Sequence, residues 1–278
     1  YHLPRMVYVS DMDVDQASYK EVVEDLTQLY GKKIAPFHFP IRENEKFVGY
    51  VNVVSETGYR WVGKEVEECE IPDYSRPYLE KYRESLMEAV AETSEEMMDR
   101  YFAGEVFSDA EIRAALRNNV VDGSIVPVSM GSNILCQGVY TLLDDIIKYM
   151  PSPENREIAG INLNTNEIYE ADYDFAKAKS AYIFKTIVDP FLGKYSLIKV
   201  CSGVLKTDDL LYDKDKDSEA KIGKLYVLQG NKPIEVKELH AGDIGALAKL
   251  AGARTGDSLS TKVTPIQYAK AELSVPYT

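Results

Sequence analysis

Tryptophan occurs once in these 278 residues, at Trp61, and histidine only three times, at His2, His38 and His240. The histidines do not cluster, so neither a histidine metal centre nor a histidine acid–base dyad has support. Cysteine is equally sparse. Cys69, Cys136 and Cys201 are far apart and fit no metal-ligand spacing. They read as reduced thiols acting as small buried hydrophobes in a cytoplasmic protein, and no metal site is expected. No run approaches the roughly 18 unbroken apolar residues of a membrane span, so no membrane partner is expected. The N-terminus has no basic head followed by an apolar core, so no signal peptide is expected there. It lacks an initiating Met, and an apolar run starts at Met6, as in a piece cut from a longer chain.

Positive charge is scarce too. The net charge is −13, which taken whole argues against nucleic acid. The deficit is uneven. Through Pro153 there are 15 basic and 27 acidic residues; from Glu154 onward there are 17 and 18. The acidity belongs to the first half, so a face that meets RNA phosphates is expected in the second.

What is present begins as an α/β pattern. Met6–Val9 is a short apolar strand that stops at Ser10-Asp11-Met12-Asp13. Tyr19–Tyr30 carries helical periodicity and ends at Gly31. Ligands in such units sit at the carboxyl ends of strands, which makes Ser10–Asp13 a candidate site. Ile34–Pro40 reads as a second strand, and Phe47–Val54 with Tyr59–Gly63 as a hairpin in which Trp61 is a packing residue. Pro77–Phe102 is the longest helical stretch, with a break and a new cap near Thr93-Ser94. Glu80, Glu84, Glu88 and Glu92 form a stripe on it, either a solvated face or a docking surface for a basic partner. Ser108-Asp109-Ala110-Glu111 has the form of a capping box and opens a helix to about Asn118. Ser124–Met130 reads as a strand closed by Gly131-Ser132-Asn133. Val139–Met150 reads as a helix with Leu142, Leu143, Ile146 and Ile147 inside. Pro151-Ser152-Pro153 stops it and sets the expected boundary between residues 1–153 and 154–278.

The second half changes to short strands and glycine turns: Ile158–Leu163, Ala181–Val188, Tyr195–Cys201, Val204–Lys206, Ile222–Leu228, Ile234–Leu239, Asp243–Leu250 and Ser258–Thr261. That spacing predicts an all-β barrel. Lys185 and Lys199 stand inside the paired strands Ala181–Val188 and Tyr195–Cys201, so neither strand is buried on both faces. The segment from Asp213 to Ser218 alternates charge and reads as an exposed loop without a calcium-binding pattern.

Phe184-Lys185, Asp189-Pro190-Phe191, Gly193-Lys194 and Val200-Cys201-Ser202-Gly203 resemble the second domain of elongation factor G and its relatives. Those relatives are ribosomal translocases, ribosomal protection proteins and release factor paralogues. Leu3-Pro4-Arg5 with Met12-Asp13 resembles the strand and fourth nucleotide motif of that family, usually Asn-Lys-Met-Asp. Gly131-Ser132 with Gly138-Val139 resembles its fifth motif, usually Gly-Ser-Ala. Glu96-Met97-Met98, Arg100-Tyr101 and Gly104-Glu105 resemble the acidic helix of its insert. The fold this implies is a partial P-loop GTPase domain of α/β type with an α+β insert over residues 1–153, then an all-β translation-factor-type barrel over 154–278.

The resemblance implies a guanine-nucleotide site at Ser10, Asp11, Asp13, Ser132 and Asn133. Asp13 matches the carboxylate that accepts from the guanine N–H edge. Ser10 replaces the family Asn, and Asp11 replaces the Lys that packs on the base, adding like charge. Asn133 replaces Ala, a change that leaves its backbone N–H in place. The rival reading is two polar loops at strand ends. No Gly-x-x-x-x-Gly-Lys-[Ser/Thr] string occurs, so no catalytic residues are expected here and this chain alone is expected not to hydrolyse GTP. GTP or GDP with magnesium is then the cofactor of a longer parent, with none expected for this chain. The implied function is a fragment of a ribosome-associated GTPase in translation whose barrel meets small-subunit rRNA. From the charge split the candidate contacts are Lys177, Lys179, Lys185, Lys194, Lys199 and Lys206, of which strand alternation points Lys185 and Lys199 out of the barrel core. The alternative is a non-catalytic ribosome-binding paralogue or module without guanine selectivity. A hydrolase built on Asp208 and Asp209 has no supporting constellation.

Overall fold

The computed structural model describes residues 3–153, 158–189, 193–248, 250 and 252–270, and the chain divides into two units, Tyr1–Pro151 and Ser152–Thr278. In the first, β1 (Val7–Val9) leads to α1 (Tyr19–Tyr30). The Ser18 hydroxyl accepts from the Glu21 N–H and fills one orphan donor at the start of α1. Where one strand was expected over Ile34–Pro40, two form: β2 (Ile34–Pro36) and β3 (His38–Glu43). Phe37 between them is fully buried; its N–H donates to Val128 O at 3.0 Å and its O accepts from Val53 N–H at 2.9 Å. One residue thus hands the chain from one sheet to another.

β4 (Lys46–Asn52), β5 (Thr57–Val62) and β6 (Glu65–Cys69) follow, giving an antiparallel sheet in the order β3-β4-β5-β6. β4 and β5 close tightly at Gly49, where a Cβ would sit 2.0 Å from the Tyr59 carbonyl oxygen. Trp61 packs on Phe47 and Tyr50 with ring centroids 5.5 and 5.2 Å away. The long helical stretch is two helices, α2 (Arg76–Ala91) and α3 (Glu95–Phe102), and Ser94 caps the second by accepting from Met97 N–H. Glu80, Glu84, Glu88 and Glu92 are all exposed. α4 (Asp109–Asp122) opens with the capping box: Ser108 accepts from Glu111 N–H, and Glu111 accepts from Ser108 N–H.

β7 (Val126–Met130) is buried along its length and lies between β1 and β2, parallel to both. α5 (Val139–Tyr149) then runs with a different face inward from the one expected. Leu143, Ile146 and Ile147 are 50%, 42% and 75% exposed, while Asp145 and Tyr149 are buried. The inward position belongs to Asp145 because its carboxylate is bonded inside the unit by Ser129 and His38.

The second unit contains β8 (Ala159–Asn162), β9 (Glu167–Glu170), β10 (Ser180–Asp189), β11 (Gly193–Ser202), β12 (Val204–Lys206), β13 (Leu210–Asp213), β14 (Ser218–Lys221), β15 (Leu225–Gln229), β16 (Lys232–Val236), β17 (Glu238–His240), β18 (Ile244–Ala248), β19 (Ser258–Ser260) and β20 (Ile266–Gln267). Residues 190–192, which include the expected Pro190 turn, lie outside the described residues. Eight strands form one sheet in the order β14-β13-β19-β10-β11-β18-β15-β16. The expected barrel is not closed among the described residues, since β14 and β16 stand at the two ends of this sheet and do not pair with each other. Strands that would extend it are diverted. β12 pairs with β17 as a separate ribbon, and β20, β8 and β9 form a third sheet. Gly203 makes the first diversion; its φ is 71°, and a Cβ there would lie 2.9 Å from the Lys177 carbonyl oxygen. The core of the unit is built by Ile183, Ile198, Val200, Leu205, Leu211 and Leu225. The alternating-charge segment is not wholly a solvated loop. Asp213 is buried, and Lys216 joins it at 2.6 Å to the equally buried Asp257.

One ion-pair cluster in the first unit carries a pH signature. Arg100 donates to Glu111 Oε1 at 2.6 Å, and the Ser108 amide and hydroxyl each donate to Oε2 at 2.7 Å. Led by the Arg100 bond, these hold the carboxyl down from 4.5 to about 2. A folded value below the unfolded one stabilises above the unfolded value and is lost as pH falls towards the folded one. Glu111→Gln should therefore lower the unfolding temperature by a few degrees at pH 7, with the gap to the parent closing between about pH 4.5 and 2. Thermal melts across that range check this; a gap that stays constant with pH contradicts it.

Candidate functional site

The parallel pairing of β1 with β7 sets Val9 opposite Met130, so the loops that follow both strands emerge side by side. They are tied together. Gly131 N–H donates to Val9 O at 3.0 Å, and Met12 N–H donates to Gly131 O at 3.1 Å. The approach needs glycine: a Cβ on Gly131 would stand 2.1 Å from the Tyr8 hydroxyl and 2.2 Å from the Gln137 carbonyl oxygen. Gly138, at φ 87°, opens α5 where a Cβ would sit 2.5 Å from the Met130 carbonyl oxygen. Ser10, Asp11 and Asp13 thus share one strand-end region with Ser132 and Asn133.

Their states differ. Ser10 Oγ donates to Asp11 Oδ2 at 3.2 Å, and Asp11 is exposed with φ 60°, a left-handed conformation that Asp tolerates. Asp13 Oδ1 is buried and has no hydrogen-bond partner among the described residues. Leaving such an acceptor unpaired costs about 1–3 kcal/mol, so this oxygen suits a ligand that brings an N–H. Ser132 is fully buried; its N–H donates to Gln137 O at 2.8 Å and its Oγ accepts from Leu135 N–H at 3.1 Å. Asn133 is exposed. Arg42 was not singled out from sequence, yet its Nη2 donates to Met12 O at 2.6 Å and sets a guanidinium under the acidic loop. Nothing local in the sequence joins Arg42 to Met12; the link comes from the packing of β3.

In the second unit, β10 buries Ala181 and Ile183, and Phe184 is 40% exposed. The register shifts between Ile183 and Lys185, so the bulge resets the alternation and Lys185 lies exposed. Lys185 pairs with Leu197, two residues from Lys199 on β11, which places both lysines on one face, about 7 Å apart along the strand. The Lys199 ammonium lies 4.9 Å from the Tyr173 ring centroid. Other lysines nearby are spent. Lys177 pairs with Asp172, Lys179 with Asp209 and Lys206 with Glu238, while Lys194 donates to Ala253 O. Lys185 and Lys199 have no carboxylate partner among the described residues.

Comparisons with known proteins bear on both units. The family model described as elongation factor G domain 2 matches residues 178–262, which include Lys185 and Lys199. A crystal structure of a protein from Thermus thermophilus matches with a TM-score of 0.78 and 29% identity over 98% of this chain. The match takes in 38% of that protein, so this chain spans well under half of its length.

The exposed Asp11 carboxylate, which sets like charge beside a polyphosphate ligand, predicts weak nucleotide binding. Isothermal titration with GDP and magnesium should show no affinity tighter than about a millimolar dissociation constant, and Asp11→Lys should strengthen whatever binding exists. Micromolar affinity in the unaltered chain would contradict this.

Proposed function

We propose, for a chain that is elongation factor G-like and whose residues 178–262 match the second domain of that family, that it belongs to a ribosome-associated GTPase acting in translation. Residues 1–153 are then the closing part of the GTPase domain with its insert, and 154–278 the domain that meets small-subunit rRNA. The observation that carries the reading is the family match over a β domain in which Lys185 and Lys199, both without a carboxylate partner among the described residues, share one face. Phosphate contacts need cations that are not already neutralised by carboxylates, and Lys185 and Lys199 meet that condition.

The nucleotide part of the proposal rests on Asp13. Its unpartnered oxygen fits the N–H edge of a guanine, and Asn133 and Ser10 line the same strand ends. The bound group would be GTP or GDP with magnesium in the parent protein, where it supplies the phosphoanhydride that is cleaved. In this chain Asp13 would orient the base. The chain has no phosphate-loop string for the phosphates or the ion, so cleavage is not assigned to any of its residues.

A second reading has its own support. Asp11 stands where the family carries the Lys that packs on the base, and it adds like charge there. This favours a paralogue that retains the ribosome-facing domain and has lost guanine selectivity. GTP turnover by the parent protein separates the two.

The test of the shared part uses the whole chain. Binding to purified small ribosomal subunits should weaken with salt, and Lys185→Ala and Lys199→Ala should each reduce the log–log slope by roughly 0.7–0.9. If the chain does not bind, the ribosomal assignment is wrong. If it binds and neither substitution alters the slope, the contact lies on another face.

A further inference from the structure

Asp145 is only 3% exposed, and neither lysine nor arginine pairs with it among the described residues. Its Oδ2 accepts from Ser129 Oγ at 2.8 Å and lies 3.2 Å from His38 Nδ1. Ser129 spends its proton on Asp145, so His38 Nδ1 faces two acceptors, the Ser129 and Asp145 oxygens. That network puts the ring proton of a neutral His38 on Nδ1 and leaves Nε2 as a bare acceptor. Neither Nε2 nor Asp145 Oδ1 has a hydrogen-bond partner among the described residues. A buried carboxylate with no permanent cation beside it is costly, and its Oδ1, like His38 Nε2, is not fully enclosed and keeps contact with solvent, where a ligand can reach it.

Both residues line a cleft of about 550 Å³ within the first unit. One wall is aromatic: Tyr50 stacks on Tyr59 at 5.1 Å and tilts against Trp61 at 5.2 Å. Burial raises the Tyr50 phenol to about 12, so it stays neutral, and its oxygen accepts from Thr141 Oγ1 at 3.3 Å. Glu65 and Asp144 add carboxylates to the lining, and the exposed Lys64 and Lys148 can turn to water.

We propose that this cleft binds an alkylguanidinium group, held by Asp145 Oδ1 and His38 Nε2 and packed on the aromatic wall. A guanidinium supplies the missing positive charge, presents a fork of N–H donors to two acceptors, and stacks on aromatic rings. The site is separate from the Ser10–Asp13 and Ser132–Asn133 loops and does not rest on nucleotide or ribosome binding. The group can arrive as a small free cation or as the arginine side chain of a peptide.

Trp61 is the only tryptophan in the chain, so its fluorescence reports this cleft directly. The chain is titrated with propylguanidinium, with N-acetyl-arginine amide, with neutral propylurea, and with sodium chloride at matched ionic strength. Saturable changes are expected with the two guanidinium compounds alone. Equal affinities indicate a free cation as the natural occupant; at least tenfold tighter binding of the arginine derivative indicates a polypeptide. Asp145→Asn should weaken binding at least tenfold, and the distant Glu84→Gln should leave it unchanged. Should Asp145→Asn lose its far-ultraviolet dichroism, the exposed Asp144→Asn serves instead, with a loss of about two- to fivefold expected. Non-saturating titrations, an equal response to propylurea, or His38 found charged by NMR at pH 7 with no guanidinium effect would each overturn the proposal. The last result would mean that His38 and Asp145 neutralise each other and the cleft needs no cation.

Discussion

The carboxylate of Asp145 is the constraint around which the first unit is arranged. It ties α5 to Ser129 in β7 and to His38 at the start of β3, and so links the parallel sheet to the antiparallel one. Removing one hydrogen-bonding member of such a buried set typically costs about 1–3 kcal/mol, because a partner is left buried and unsatisfied. The same bond decides the rotation of α5 and turns its apolar stripe outward. α5 starts from Gly138, and the Gln137 carbonyl just before it accepts from the Ser132 N–H. A packing requirement on one side of the sheet is therefore continuous with the hydrogen bonding of the strand-end loop.

The second unit solves a different problem. Many of its charged residues are paired, some of them deep, as with Lys216 between Asp213 and Asp257. Among the lysines without a carboxylate partner, Lys185 lies where β10 carries its bulge and Lys199 where β11 faces Tyr173. A bulge costs one ladder position and here re-aims a single side chain. The near-neutral composition of this half thus conceals a small local excess of positive charge, which is what matters to a phosphate.

How far the sequence was legible depended on whether a signal was local. α1 and α4 were, because Gly31 and the Ser108–Glu111 pair each mark an end within a few residues. The split of β2 from β3 was not, since Phe37 looks like any apolar residue until both sheets are in place. β9, β13, β14, β17 and β20 are short, several of them polar, and defined by their partners. α5 was read with the wrong face inward because periodicity counts apolar residues and has no means of weighing one buried aspartate. The strand-end residues were placed by motif likeness; the occupation of Ser132 and the support from Arg42 arise from contacts distant in sequence or invisible to a motif.

Gly131 and Gly138 bear on how such chains diverge. Each is required by backbone and side-chain atoms of the chain itself, the Tyr8 hydroxyl, the Gln137 carbonyl and the Met130 carbonyl, whatever the loops bind. The residues around them, such as Asp11 and Asn133, are exposed and free to drift. Selection for folding alone would keep the two glycines after selection for a ligand has been relaxed. In a set of relatives, the glycines would report shared ancestry while the residues between and before them report function, and the two records would part company at this loop.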